Sequence, residues 1–335
     1  MAALAPVLEG ASLGAARQLV TLPANASLVQ AAAISAVAQA LLAALAAQRG
    51  VAAHAVLGHA ARPAVRAYAN INRATTLRTP AGFVATALRA QQHGFKAFKA
   101  APFEGLTPAL CACAEGRRLA RHGIDCLLAL RDALGPGARL MVDCHWRFDE
   151  AHALDTLRAL RLARLHWFEC PLPETPAHWP ALRRLRAACR DEGLLLAAAE
   201  TQIGAPAFQD LFDAALYDVV MPDVKYCGGP WEMLAIAQCA ADAGVMFSPH
   251  NPTGPVCTQH SLHLAAVAPE CDMLELQFDE SPLYGALAPL PPTLSAEGLL
   301  PISVAPGLGL TIDEAVLAAH PYRAVPLGIE ALSGL

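Results

Sequence analysis

Eight short apolar runs, separated by helical stretches of regular length, constrain this chain more than any other feature. VRAYANIN (65–72) and FKAFKAA (95–101) come first; LMVDC (140–144), LHWFE (165–169), LLLAAAE (194–200), YDVVMPD (217–223), VMFSPH (245–250) and MLELQ (273–277) continue the series. Such runs, bounded by turn residues, are the habit of strands buried on both faces of a parallel sheet. Between them lie helical patterns such as 153–163, 179–189 and 231–244. Strand and helix in alternation make βαβ units, and eight of them point to a closed (β/α)8-type, TIM-like barrel of the α/β class. With 335 residues, 55 % of them apolar and 16 % charged, the chain can fill such a barrel and a smaller companion.

The flanks read differently. Residues 1–63 hold little strand material; from Ser27 to about Gln48 they are Ala- and Leu-rich with helical habit, stopped by Gly50. The barrel spans 64–290. From Pro291 to residue 335 the chain is proline-rich and irregular, with a helix expected over 311–320, and it is expected to pack back on the rest. The stretch 31–47 is mostly alanine and short for a membrane span, so a packed helix is expected and no membrane partner. Asn25-Ala26-Ser27 fits a glycosylation pattern but reads as a helix start, because no basic leader precedes it. A net charge of −5 offers no footprint for nucleic acid. The ten cysteines form no CxxC pair and read as reduced thiols, consistent with a cytoplasmic protein.

Three of the runs end on an acid: Asp143, Glu169 and Glu200. The competing explanation is three unrelated acids in loops. At successive strand ends, however, they would converge on the barrel mouth, where such folds keep their chemistry. Three hard oxygen donors with no His or Cys suit Mg2+ better than zinc. The sixth and seventh runs end in Asp223 and His250. A carboxylate beside an imidazole fixes its tautomer and raises its basicity, as a general base near neutral pH requires.

These residues resemble the mandelate racemase and muconate lactonizing branch of the enolase superfamily. Asp143, Glu169 and Glu200 match its three metal ligands, Asp223 and His250 its Asp–His dyad, and VMPDVKYCGG (220–229) its strand-six signature. Glu275 falls where the group keeps an acid on strand eight; the resemblance implies that it hydrogen-bonds the substrate carboxylate, which requires it to be protonated. Lys99 matches the first lysine of the Lys-x-Lys pair carried by many members, and Ala101 stands at the second, which weakens racemisation. His145, two residues past Asp143, is similar to the extra histidine of galactonate-type acid-sugar dehydratases, which protonates the departing hydroxyl.

The resemblance therefore implies Mg2+-dependent removal of the proton alpha to a carboxylate through an enediolate, and dehydration of an acid sugar to a 2-keto-3-deoxy acid. Arg147, Asn70 and Lys225 are candidate substrate contacts. A racemase, epimerase or cycloisomerase using His250 alone is the alternative within the enzyme class; a metal-binding barrel without turnover is the alternative outside it. Family members usually begin with a sheet-and-helix cap over the mouth. Residues 1–63 supply helices without an evident sheet, so a truncated cap is expected, with a pocket more open than usual or closed by a neighbouring subunit of a homo-oligomer.

Overall fold

In the computed structural model, which describes residues 5–288 and 294–321, all eight runs are strands. They are β1 (Ala64–Asn70), β2 (Ala97–Ala100), β3 (Arg139–Asp143), β4 (Trp167–Glu169), β5 (Leu195–Ala198), β6 (Val219–Val220), β7 (Met246–Phe247) and β8 (Met273–Gln277). Each pairs in parallel with the next from β1 to β7, and β8 pairs with the free side of β1. A bridge from Phe247 to Cys271 joins β7 to the chain just ahead of β8 and closes the barrel. The sixth and seventh strands are shorter than their apolar runs. Pro222 and Pro249 follow them, and proline has no N–H to give to a ladder.

Period-two alternation sorts the strand residues into two cores. Outward-facing residues such as Phe98, Val142, Phe168 and Leu196 pack under the surrounding helices. Inward-facing Tyr68, Ala97, Met141, Trp167, Ala197, Val219 and Met273 pack on one another and fill the lower barrel. Two residues further along the same faces, the inner layer turns polar: Asn70, Lys99, Asp143, Glu169 and Glu275, all buried. One periodicity thus builds a dry floor and a charged mouth.

Residues 5–63 contain helices and no strand among the described residues. Ser27 caps the helix Leu28–Arg49 in a capping box with Gln30, and Gly50 ends it in the left-handed conformation at φ 65°. This helix is long and apolar enough to cross a membrane, yet half of its most apolar window is buried inside the protein. It docks on the loop after β6: Gln39 Nε2 donates to the Val224 carbonyl at 3.4 Å, and the Gly228 N–H donates to Ser35 Oγ at 3.0 Å. Gly229 permits the approach, because a Cβ there would lie 2.6 Å from the Ala38 methyl.

Beyond β8 the chain returns to the floor. There β9 (Leu299–Pro301), which the sequence reading does not foresee, pairs antiparallel with the start of β1. Gly307 then exchanges backbone hydrogen bonds with Val51 and Ala53 of the N-terminal helical region. The expected helix at 311–320 is present as Glu314–Ala319, capped by Asp313. Residues 291–293 and 322–335 of the expected C-terminal segment lie outside the described residues.

Candidate active site

The three strand-end acids converge. Asp143, Glu169 and Glu200 each offer a carboxylate oxygen within 4.8 Å of the others, and all three are buried. Asp143 and Glu169 end their strands on the inward face, as alternation requires. Glu200 does not: with Leu195 and Ala197 facing inward, strict alternation would turn it outward. Ala199, at φ 80°, breaks the alternation and brings it round. His145 (φ 47°), Trp146 (φ 55°) and Cys170 (φ 43°) adopt left-handed backbone beside the other two acids. Non-glycine residues pay about 1–3 kcal/mol each for such conformations, and they gather at functional sites.

Two histidines border the acids. His250 Nδ1 lies 2.8 Å from Asp223 Oδ2, and its Nε2 lies 3.5 Å from Glu200 Oε2. His145 Nε2 lies 2.7 Å from Asp143 Oδ2, and the His145 N–H donates to Asp143 Oδ1 at 2.9 Å. Lys99 Nζ bridges Glu169 at 2.6 Å and Glu275 at 3.1 Å. Eight inward positions on seven strand ends thus carry five acids, one lysine and two histidines around one mouth.

Residues 82–316 match the family model described as Enolase C-terminal domain-like. The chain belongs to this family. Among similar enolase-type proteins, the D-gluconate dehydratase of Thermoproteus tenax is 28 % identical over 300 residues, covering 90 % of this chain and 58 % of that protein. A D-galactonate dehydratase family member from Streptomyces bingchenggensis is 31 % identical over 212 residues, covering 62 % of this chain and 50 % of the relative. The chain thus spans half or a little more of the length of these curated relatives. The crystal structure of the 3,6-anhydro-D-galactonate cycloisomerase from Zobellia galactanivorans superposes with a TM-score of 0.80 at 25 % identity, covering 94 % of this chain and 84 % of that one.

Enolase-superfamily enzymes use a divalent metal, and the charges at this mouth fit one. Burial first, then Asp143, Glu200 and Glu275 against the opposing pull of Lys99, push the Glu169 carboxyl up to about 8. Burial and Asp143 likewise raise Glu200, whose Oε2 is buried without a hydrogen-bond partner. A hard cation among these oxygens would relieve both. Burial opposes ionisation of Asp143 too, but His145 and Lys99 hold it below the usual carboxylate range. Asp143 in turn raises His145. Burial alone would lower His250; Glu200 and Asp223 overcome it and push the imidazole up to about 9.

Glu275 is surrounded by donors of the protein itself. Its Oε1 accepts from Asn70 Nδ2 at 2.7 Å and its Oε2 from the Asn251 N–H at 2.8 Å. Burial disfavours its charge, yet Lys99 and His250 outweigh burial and bring its pKa down to about 2. Both oxygens thus accept from the protein itself, and Oε1 also lies 3.1 Å from Lys99 Nζ. Of the expected substrate contacts, Asn70 is occupied by Glu275 and by the Asn72 N–H. Lys225 Nζ lies 3.3 Å from Asp223. Arg147 turns towards the loop after β2, with Nη1 3.3 and 3.4 Å from the Phe103 and Leu106 carbonyls.

Sequence reasoning misses three supporting residues. Asn251, directly after His250, fixes Glu275 and is itself held by Thr258 at 2.9 Å. Trp167 Nε1 donates to Glu169 Oε2 at 2.9 Å, and its place two residues before Glu169 is a signal that alternation offers. Glu174, in the segment PLPE, accepts from Trp146 Nε1 at 2.7 Å, and no local pattern announces it.

Proposed function

We propose that the protein is a Mg2+-dependent lyase that dehydrates an acid sugar to a 2-keto-3-deoxy acid. The observation that carries this reading is that both histidine Nε2 atoms border one cluster of three carboxylates, His145 through Asp143 and His250 through Glu200. Asp143, Glu169 and Glu200 would hold the cation, which when bound offsets the charge that builds on the substrate carboxylate as the alpha proton leaves. The dehydratase names of the curated relatives support the same class.

His250 is the base. Asp223 holds its Nδ1, so Nε2 presents the lone pair that takes the alpha proton once the ring is neutral. His145, whose pKa Asp143 raises, is the acid: its proton joins the departing β-hydroxyl, which leaves as water. The electron pair of the broken C–H bond forms the new double bond, and the resulting enol tautomerises to the ketone. Lys99, anchored by Glu169 and Glu275, adds fixed positive charge near the same carboxylate. Lys225 is assigned to the hydroxyls of the sugar chain; Asn70 and Arg147 would serve it only by giving up their present partners.

Ten free cysteines, six of them buried, support a reducing, cytoplasmic setting. Exposed Val7, Leu19 and Val29 on the N-terminal helices support a homo-oligomer in which a second subunit covers this side of the molecule.

The test is a panel of mono- and diacid sugars with Mg2+ in deuterated water, scored for keto acid and for alpha-proton exchange. A dehydratase yields keto acid. Exchange without keto acid identifies an epimerase or cycloisomerase, and neither signal on any acid sugar identifies a binding barrel. His145→Asn that dehydrates as fast as the parent removes His145 from the acid role.

A further inference from the structure

His145 and Trp146 are consecutive non-glycine residues in left-handed backbone, at φ 47° and 55°. Such a pair does not hold itself, so neighbouring contacts must over-determine it. Three are present. The His145 N–H donates to Asp143 Oδ1 at 2.9 Å, the Trp146 N–H donates to the Cys170 carbonyl at 2.6 Å, and the Trp146 indole N–H donates to Glu174 Oε1 at 2.7 Å. Cys170 is itself left-handed, and its thiol donates to the same Glu174 oxygen at 3.6 Å.

Glu174 therefore ties the turn after β3 to the turn after β4. Its other oxygen is buried without a hydrogen-bond partner. Burial, and then Glu200, push the Glu174 carboxyl up to about 7 against the pull of the Trp146 donor. A carboxylate that folding isolates in this way, with one oxygen spent on an indole, is more than a surface residue turned inward. It holds the strained segment on which His145 is mounted.

We propose that Glu174 is a positioning residue: through the Trp146 indole it holds the 145–146 turn left-handed and so fixes where the His145 imidazole can reach. This rests on the dehydratase reading for its catalytic consequence, since His145 serves the departing hydroxyl and His250 the alpha proton. Glu174 touches neither histidine. Loosening it should separate two steps that general damage to the barrel would reduce together.

The experiment compares Glu174→Ala, Trp146→Phe and Glu174→Gln with the parent, holding Mg2+ and substrate fixed. Glu174→Ala removes the acceptor. Trp146→Phe removes only the indole donor and leaves the carboxylate, so it stands in if the first variant folds poorly. Glu174→Gln keeps an acceptor oxygen. The first two are expected to lose keto-acid formation about 10- to 100-fold, the cost of a displaced catalytic group, while alpha-proton exchange stays within about threefold. Glu174→Gln should restore most of the keto-acid rate. Equal loss of both signals in Glu174→Ala and Trp146→Phe, or loss of neither, overturns the proposal.

Crystal structures of the same variants give a readout that needs no turnover. Residues 145–146 should leave the left-handed region in Glu174→Ala and Trp146→Phe, and His145 should move away from Asp143. A turn unchanged in both overturns the proposal. A parent that acts on no acid sugar would sink the dehydratase reading instead, and the crystallographic comparison would still decide the role of Glu174.

Discussion

At the floor of the barrel Asp218 accepts from Arg186 Nε at 2.9 Å, Arg190 Nη2 at 2.6 Å and the Leu196 N–H at 3.0 Å. Asp272, just ahead of β8, meets Arg139 at 2.9 Å and His166 at 3.2 Å. At the mouth, by contrast, Asp143, Glu169 and Glu200 cluster together, and the Lys99 ammonium reaches only Glu169 among them, with Glu275 on its other side. The same residue types serve opposite ends. Floor acids are neutralised where they stand: Asp218 ties strand starts to the helix Trp179–Asp191, and Asp272 ties the start of β8 to those of β3 and β4. At the mouth, burial and mutual repulsion hold Glu169 and Glu200 back from ionising, and a cation would relieve both.

Substitution at the two ends should therefore break different things. Asp143→Asn is expected to abolish divalent-cation binding by calorimetry and to cost about 10^3-fold or more in activity, the several kcal/mol that a bound cation supplies. Asp218→Asn should leave cation binding unchanged and lower stability instead. If both behave alike, the distinction between the ends is wrong. His250→Asn should come next, losing about 10^2 to 10^4-fold in alpha-proton exchange while still binding the cation.

The pH dependence sharpens the contrast. With its pKa at about 8 when metal-free, Glu169 holds its proton more tightly in the folded protein than in the unfolded chain. The stability this gives is complete below the unfolded carboxylate value and is lost as pH rises through the folded one. Urea unfolding in EDTA between pH 5 and 9 should thus show stability falling as pH climbs. Saturating Mg2+ should flatten the slope, because the cation favours the ionised carboxylates. His250, at about 9 without metal, should titrate lower by NMR when Mg2+ is added, since a nearby dication disfavours the imidazolium. An unmoved His250 resonance would place the cation elsewhere.

The barrel is legible in the sequence because apolar runs of period two and helical segments of regular spacing leave few other ways to bury so much apolar surface. Asp143, Glu169, Asp223 and Glu275 are legible as neighbours for the same reason: each stands two residues past an inward apolar side chain. Glu200 fits this rule only through Ala199, whose left-handed backbone no alanine-rich run advertises. Residues that work through long-range contact are hidden altogether. Glu174 reaches Trp146 across 28 positions, and β9 returns to β1 from beyond the last barrel strand. The surroundings of Glu275 bring together Asn70, Lys99 and Asn251, three separate strand ends that no local pattern combines.

The smallest expected effect tests the floor. Burial would raise the Asp272 carboxyl, but His166 and Arg139 overcome it and hold it below its ordinary value. A lowered folded pKa contributes stability that is complete above the unfolded carboxylate value, about 4, and is lost as pH falls through the folded value. This is the opposite sense to Glu169. Asp272→Asn should therefore cost about 1 kcal/mol at pH 7, modest because Arg139 is 41 % exposed and solvent screens its share. The parent–variant difference in urea midpoint should shrink below about pH 4, and EDTA or Mg2+ should not alter it. A difference that tracks the cation would mean that the floor senses the mouth, and the two ends could no longer be treated as separate electrostatic units.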